Sequence, residues 1–513
     1  MNIISLMFGF IDNFLNKITM YRLILYYLTG LLAAAAIFGF FGLVPFSPLS
    51  IIFSTAIFVF VSWVTNEVFS RVFGAQPNVE SVYITAFILA LIIDPASPAD
   101  LNKIAFFIWA AVWAMASKYI IAAKRKHVFN PAAFAVVLTA FTINQAASWW
   151  VSGSLPLMIF VVLGGILAAR KMRRFDLVLS FLAVAFLTAV LSRDLGNSIS
   201  TIQKVILHTP VFFFAFAMLT EPLTTPPTRP LRIIYGAITG FLFSTTLSVA
   251  GIYFTPELSL LAGNIFSYAV SHKKKYVLRL SRKEQVADGV YDFVFDPGEK
   301  VGFRAGQYME WTLGHYKPDS RGNRRYFTIA SSPTENEIRL GVKFYSESST
   351  FKKRMMSLTP GDEIVMGQLA GDFTLSSDSK EKLAFLAGGI GVTPFRSMAK
   401  YLSDKNEKRD AILLYSNKTP SEIAYKNIFD EAAAKIGMRT VYVLTTAGQI
   451  PAGLNARAGM INAEMIKMEI PDYMERTFYI SGPHLMVAAM ESALRGMGVK
   501  GSRIKTDYFP GFA

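Results

Sequence analysis

Two hydrophobic patterns divide the chain. Between residue 20 and Ser271, long apolar runs follow one another with short polar breaks, and Leu31–Leu43, Ile51–Val64 and Ala105–Ala123 are nearly free of charge. Ten spans are predicted, at 21–43, 48–70, 80–94, 101–123, 131–149, 154–170, 175–192, 203–220, 230–253 and 257–271. Each is close to the roughly 20 residues a bilayer requires, the third and last being short. The first is read as a span, because further spans follow it and no small-residue cleavage site does. Past Ser271-His272-Lys273-Lys274-Lys275-Tyr276 the pattern changes. Residues 277–378 mix charge into short alternating strands, as in Tyr276–Leu280 and Val290–Phe295, which predicts a small antiparallel barrel. Apolar strands and helices then alternate through Leu383–Leu386, Ala411–Tyr415, Pro420–Ala434, Arg439–Leu444 and Arg476–Ile480, which predicts a parallel sheet with crossover helices. The expected domains are 1–271, 272–380 and 381–513.

Composition agrees with that division. A 513-residue chain that is 52% hydrophobic and 17% charged is too apolar for one soluble domain. The net charge of +15 is explained by position. Arg71, Lys124-Arg125-Lys126, Arg170-Lys171-Met172-Arg173-Arg174, Arg229 and Arg232 fall in alternate loops, while the loops around Pro45, Pro98, Gly153 and Gly196 carry few basic residues. This positive-inside pattern predicts a multi-pass protein of the cell membrane. The N-terminus, Lys273–Lys275 and both later domains would lie on the cytoplasmic side. The same lysines are expected to hold the barrel against the inner face. Nucleic acid is not an expected partner.

The chain has no cysteine, which removes disulfides, thiolate zinc sites and Cys-ligated clusters. The membrane half offers only His127 and His208, too few for a transmembrane bis-haem path. No metal site is expected. Electrons entering that half would need an organic carrier or a partner protein.

The spans contain an internal echo. Span three ends in Asp94-Pro95 and span eight in Glu221-Pro222; span five opens with Asn130-Pro131 and span ten holds Gly263-Asn264. An offset of five spans makes each pair face opposite sides, the signature of an inverted 5+5 repeat whose interrupted helices meet near the midplane. Glu67, Asp94, Lys118, Asn130, Glu221 and Asn264 are expensive in lipid, so they are functional candidates by default, although Glu67 and Lys118 lie near inner span ends, where snorkelling is the favoured reading.

At these residues the chain resembles a known family. Phe129-Asn130-Pro131-Ala132-Ala133-Phe134, Met218-Leu219-Thr220-Glu221-Pro222-Leu223-Thr224, and Pro256-Glu257 through Gly263-Asn264 are similar to signature segments of the B subunit of the sodium-translocating NADH:quinone reductase and the D subunit of the Rnf complex. The resemblance covers about 20–271. It implies a flavin within the membrane, electron transfer across or along it, and other redox subunits as partners. That family attaches FMN to a threonine in Ser-Gly-Ala-Thr-Pro-Leu; here the segment reads Ser152-Gly153-Ser154-Leu155-Pro156-Leu157, and Leu155 has no hydroxyl to flavinylate. A non-covalent FMN or riboflavin is the remaining option, with Asn130, Thr220 and Asn264 as candidate ligands.

The soluble half carries flavin-type chemistry. Arg325 offers a planar fork for a pyrophosphate, Phe327 a ring to lie against isoalloxazine, and Thr328 a hydroxyl for its N5 edge. Ser348, Ser349 and Thr350 open a helix, where an anion is stabilised. Ala387-Gly388-Gly389-Ile390-Gly391-Val392-Thr393-Pro394 is a glycine turn between strand and helix, of the type that lets backbone approach a pyrophosphate. The ordered set, completed by Ser481-Gly482-Pro483 and Thr506-Asp507-Tyr508-Phe509, resembles the ferredoxin–NADP reductase superfamily over about 276–513.

That resemblance implies a β-barrel that binds FAD through Arg325, Tyr326, Phe327, Thr328, Val342, Lys343, Ser348, Ser349 and Thr350. It implies an α/β domain that binds NADH or NADPH through Gly388, Gly389, Thr393, Pro394, Lys418, Gly482, Pro483 and Phe509. Thr328, Ser481 and Asp507 are the catalytic candidates. Ser481 stands where the family often has cysteine, and Phe327 where it usually has tyrosine. Lys418 alone is no bidentate clamp for a 2′-phosphate, which favours NADH slightly.

The whole chain is then expected to be a membrane-bound NAD(P)H dehydrogenase. Electrons would run from NAD(P)H through FAD to a membrane flavin and on to a quinone or electron-carrier protein. The alternative is a reductase of a soluble, ferredoxin- or flavodoxin-like partner, with the membrane half as anchor or transporter.

Overall fold

The computed structural model describes residues 11–12, 14–15, 18–74, 79–123, 126–193, 198–246, 248–249, 251–271, 275–319, 321–446 and 450–509. The expectations resting on His272, Lys273, Lys274, Lys124, Arg125 and Gly196 lie outside them. The chain divides into two compact units, Met1–Lys275 and Tyr276–Ala513.

The first unit is helical. It runs α1 (Met20–Phe40), α2 (Pro48–Val72), α3 (Val79–Ile92), α4 (Leu101–Ile120), a hairpin β1 (Ala122–Ala123) and β2 (Lys126–His127), then α5 (Pro131–Ile143). It continues α6 (Leu155–Met172), α7 (Phe175–Arg193), α8 (Ser198–His208), α9 (Val211–Met218), α10 (Arg229–Ser244), a hairpin β3 (Ser248–Val249) and β4 (Ile252–Tyr253), and α11 (Pro256–Val270).

A helix lies under each of the ten expected spans, but the count of crossing helices is lower. Five described helices, α1, α2, α4, α6 and α7, are long and apolar enough to cross a membrane, or six if the bent pair α8–α9 is one span. The differences have local causes. Span five stops at Ile143 because Asn144 turns left-handed at φ 53°. Span eight bends by 69° at Thr209-Pro210, where proline supplies no backbone donor. Span nine stops at Ser244, and the residues expected to continue it fold as the β3–β4 hairpin. The 14-residue α3 spans only about 21 Å, short of the ~30 Å hydrocarbon layer. Its side chains Ile88 through Ile92 are buried in the helical core.

Packing follows the chain's own periodicity. α2 packs on α4 as α7 packs on α10; α1 on α3 as α6 on α9; and α4 on α5 as α10 on α11. α5 also meets α11, and α1 meets α6. The α7–α10 contact is close because Gly236 and Gly240 have no side chain. A methyl on either would come within 2.7 Å of Leu177 O or 2.5 Å of Phe181 O.

The second unit holds two six-stranded sheets. The first has antiparallel order β8-β7-β10-β5-β6-β9, from β5 (Tyr276–Ala287), β6 (Val290–Asp296), β7 (Tyr308–Thr312), β8 (Arg324–Thr328), β9 (Ile338–Lys343) and β10 (Glu363–Ala370). Helix α12 (Thr350–Met356) closes its core, where Phe293, Phe295, Trp311 and Phe351 are fully buried. The expected barrel is not closed by strand pairing among the described residues. β8 and β9 are edges, bridged beyond β8 by the Ala330 amide donating to Arg339 O at 2.9 Å.

The other sheet is parallel, in order β14-β13-β12-β11-β15-β16. Its strands are β11 (Leu383–Gly388), β12 (Ala411–Asn417), β13 (Arg439–Leu444), β14 (Ala456–Ala458), β15 (Thr477–Pro483) and β16 (Ile504–Phe509). The helices are α13 (Thr393–Lys405), α14 (Lys426–Ile436), α15 (Ala463–Glu469) and α16 (His484–Gly496). Strand order reverses between β11 and β15, the switch point outside whose carboxyl ends α/β sheets bind ligands. The single helix expected over Pro420–Ala434 is instead a 3-10 turn, Pro420–Glu422, and α14, parted at Tyr425, whose φ is 61°.

Candidate functional site

On the flavin side, β8 alternates its faces. Trp311 and Met309 of β7 pair with Arg325 and Phe327. Arg325 is buried; its Nη1 donates to the carbonyls of Arg321 at 2.7 Å and Gly322 at 3.2 Å, and its guanidinium lies 4.9 Å from the Phe351 ring centre. Phe327 tilts against Phe351 at 6.1 Å. Thr328 is 3% exposed and its hydroxyl has no hydrogen-bond partner among the described residues, so it fits a ligand acceptor. Tyr326 points to the other face, donating to Glu310 Oε2 at 2.9 Å, apart from Arg325 and Phe327.

The start of α12 is more elaborate than its Ser-Ser-Thr run suggested. Ser349 caps the helix, accepting from Lys352 N at 3.3 Å. The Thr350 amide donates to Asp319 Oδ2 at 3.0 Å, and the Thr350 hydroxyl accepts from Asp319 N at 2.9 Å and contacts His315 Nε2 at 3.0 Å. Burial pushes the Asp319 carboxyl up, but Arg321 and the amides of Thr350 and Arg321 outweigh it and hold it down at about 2. Lys352 is buried and donates to Lys343 O at 2.8 Å; burial, with Arg325 and Arg321 nearby, pushes its ammonium down to about 8. Val342 packs in the core of the antiparallel sheet, and Ser348 closes a turn by donating to Tyr345 O at 2.7 Å.

Sequence reasoning did not single out Asp319, Arg321, His315 or Lys352. The first three sit in the Gly- and Asp-bearing loop between β7 and β8, and only folding brings it to α12. The cationic set Arg321, Arg325 and Lys352 fits a dinucleotide pyrophosphate.

On the nucleotide side, the glycine turn and the end of β15 come together. Gly389 has φ 52°, a left-handed turn that suits glycine, and Pro394 sits in the first turn of α13. A methyl on Gly391 would lie 2.5 Å from both Gly482 Cα and Ser481 O, and one on Gly388 would lie 3.1 Å from Pro483 Cδ. Gly388 and Gly391 are thus packed against Gly482 and Pro483, with Met486 also over Gly388, while Gly389 is open. Thr393 donates to Ile390 O at 3.2 Å. The Ser481 hydroxyl is fully buried without a hydrogen-bond partner among the described residues. Asp507 pairs with Ser481 across β15–β16, and Phe509 with Pro483; the Phe509 side chain lies outside the described residues. Lys418 follows β12 and is exposed.

Of the candidates in the helical unit, Asn130, Glu221 and Asn264 meet in one network, whereas Glu67 pairs with Arg71 and Lys118 donates to Ser81. Asn130 caps α5, donates Nδ2 to Glu221 Oε2 at 2.9 Å, and donates its amide to Asn264 Oδ1 at 2.8 Å. Asn264 donates to the Tyr235 hydroxyl at 2.9 Å, and His127 Nε2 stands 3.4 Å from Glu221 Oε1. Thr220 does not join it: its hydroxyl donates to Phe216 O at 2.7 Å. Tyr235 and His127 were not foreseen. Among the described residues, no group of three or more His, Asp or Glu side chains is placed to hold a metal ion.

Comparison with known proteins bears on the second unit. Residues 385–492 match the family model described as oxidoreductase NAD-binding domain. The chain is 27% identical over 216 residues to the glycine betaine monooxygenase reductase subunit of Pseudomonas aeruginosa, covering 40% of this chain and 56% of that protein. It is 25% identical over 236 residues to the flavohemoprotein of Bacillus subtilis, covering 45% and 58%. The chain thus spans less than three fifths of the length of these relatives. Among solved structures, the FAD/NAD binding domain of nitric oxide dioxygenase from Vibrio cholerae is 18% identical with a TM-score of 0.40, covering 46% of this chain and 98% of that one. The cytochrome b5 reductase domain of Ulva prolifera nitrate reductase is 19% identical with a TM-score of 0.40, covering 46% and 98%. Residues 385–492 are similar to an oxidoreductase NAD-binding domain, and together with its reductase relatives this marks the chain as an FAD-dependent NAD(P)H oxidoreductase.

Proposed function

We propose that this chain is a membrane-bound NAD(P)H dehydrogenase, its reductase module delivering electrons to the helical unit and on to a quinone or electron-carrier protein. One observation carries the reading: an FAD/NAD(P) module is covalently continuous with a helical unit whose signature polar residues converge. FAD, when bound, accepts a hydride from NAD(P)H and releases its electrons singly. The protein's part is positioning and electrostatics. Arg325, Arg321 and Lys352 would hold the pyrophosphate, Phe327 would back the ring, the Thr328 hydroxyl would be available to it, and the Gly388-Gly389 and Gly482-Pro483 turns would receive the nucleotide. Ser481 and Asp507 flank the same strand ends, and Phe509 follows them on β16. NADH is favoured, since Lys418 is exposed and single.

The inverted 5+5 repeat belongs to this proposal. Its support is the matched order of each half: two long helices, a short or bent one, a fourth helix, a hairpin, then a short helix opened by proline. The short helices α5 and α11 carry Asn130 and Asn264, the pair that joins the halves. With Leu155 in place of threonine, any flavin of this unit is non-covalent, an FMN or riboflavin. Positive-inside loops put the reductase on the cytoplasmic side of the cell membrane.

Acid precipitation of the purified protein, followed by flavin analysis, tests the two-flavin version. Two released flavins per chain, one of them lost on mutating Asn130 or Asn264, are expected; one flavin, indifferent to those residues, sinks it. The relatives' description as reductase subunits favours a second reading, in which the module serves a soluble partner. Inverted vesicles separate the two: external NADH reduces a trapped acceptor only if electrons cross the helical unit.

A further inference from the structure

Three tethers join one short loop of the NAD(P) domain to the flavin barrel. The loop, Asn417–Tyr425, leaves the carboxyl end of β12. Ser421 O accepts from Asp288 N at 3.0 Å, Glu422 Oε2 accepts from Lys343 Nζ at 2.9 Å, and the Tyr425 hydroxyl donates to Asp292 Oδ1. The Lys343–Glu422 pair is partly exposed, so water competes for it. Tyr425 and Asp292 are 5% and 1% exposed, so their bond is shielded and is the tether with most at stake.

Two further features show that the fold is built around this contact. Tyr425 is held at φ 61°, a left-handed conformation costly for a bulky side chain, at the position where α14 begins. Directly opposite Asp292, β9 carries Gly341, and a methyl there would overlap the Tyr425 hydroxyl. The barrel has left a side-chain-sized space on β9 for a hydroxyl reaching over from the other domain. β9 continues into Lys343, whose carbonyl accepts the buried ammonium of Lys352 beside the phosphate-type cations.

We propose that Tyr425 is a positioning residue that keys the nucleotide-side loop to strand β9, so that nucleotide occupancy is felt in the flavin barrel. The inference rests on the reading that this loop, at the end of the second strand, borders the adenosine ribose. Tyr425→Phe removes only the hydroxyl. The domains stay joined in that variant, since Arg396 still pairs with Glu335 and Ser397 still donates to Ser331 O at 2.6 Å.

Hydrogen exchange of the full-length protein in detergent, with and without NAD+, tests it. In the wild type, NAD+ is expected to slow exchange both in 417–425 and in β9. In Tyr425→Phe the loop should keep its protection while β9 loses at least half of its own. Flavin reduction by NADH should slow about tenfold at unchanged FAD content. Gly341→Ala, which displaces the hydroxyl while sparing Tyr425, should reproduce the loss on β9. Undiminished β9 protection in both variants overturns the role of Tyr425 and leaves the dehydrogenase reading standing. Protection of neither segment in the wild type overturns it at its base, by removing the loop from the nucleotide site.

Discussion

The backbone amide of Asn130 donates to the side-chain oxygen of Asn264 at 2.8 Å across 134 positions of sequence. Both residues are buried, and the bond joins the short helix α5 to the short helix α11 of the helical unit. Asn264 also donates to Tyr235, so Asn264→Ala strands a buried amide and a buried hydroxyl together. A loss of about 1–3 kcal/mol is expected from unsatisfied groups of this kind. Thermal unfolding in detergent, followed by tryptophan fluorescence, should show it, and Tyr235→Phe should cost less.

Thr328→Val separates stability from catalysis. The native hydroxyl is buried without a hydrogen-bond partner among the described residues, so its removal should leave the melting temperature unchanged or slightly raised. Flavin reduction should fall about tenfold, equivalent to roughly 1.4 kcal/mol of transition-state stabilisation. Stopped-flow bleaching of the flavin beside a melting curve checks both signs.

Lys352 links FAD binding to pH. The folded apo-protein releases this proton at about 8, whereas an unfolded chain keeps it to the ordinary 10.5. Between those values the unfolded state binds more protons, so apo-stability should rise with pH; below about 8 both states are charged and the effect is flat. An anion beside the ammonium favours its charged form, so FAD affinity should fall as pH rises above 8. Lys352→Met should abolish both trends in melts and FAD titrations between pH 7 and 10.

Gly391→Ala should damage the nucleotide cradle. The added methyl would lie 2.5 Å from Gly482 Cα and Ser481 O, both backbone atoms that cannot rotate away. Overpacking costs typically 1–3 kcal/mol, and the loss should fall on NAD+ affinity before FAD content. Equilibrium titration with NAD+ measures it.

Much of this was legible because local periodicity and motif chemistry are short-range. Apolar runs placed a helix under every expected span, and the strand–turn–helix at Ala387–Pro394 marked the nucleotide side. Crossing capacity was not legible, since hydropathy does not register Pro210 bending a span or Asn144 ending one early. Tyr425 lay inside a run that reads as one helix, and its left-handed break coincides with a contact its hydroxyl makes 133 positions away in sequence.

By itself the sequence determined the helical and the sheet-bearing parts of this chain, its sheet types and the residue types offered at its candidate sites, because each depends on neighbours within a turn or a strand. Tertiary structure alone decided which polar residues meet. Asn130 with Asn264, Asp319 with Thr350 and Tyr425 with Asp292 are pairings across many residues. Where both partners are buried, as in Asn130 with Asn264 and Tyr425 with Asp292, burial makes the partner obligatory, and only the packed chain can supply it.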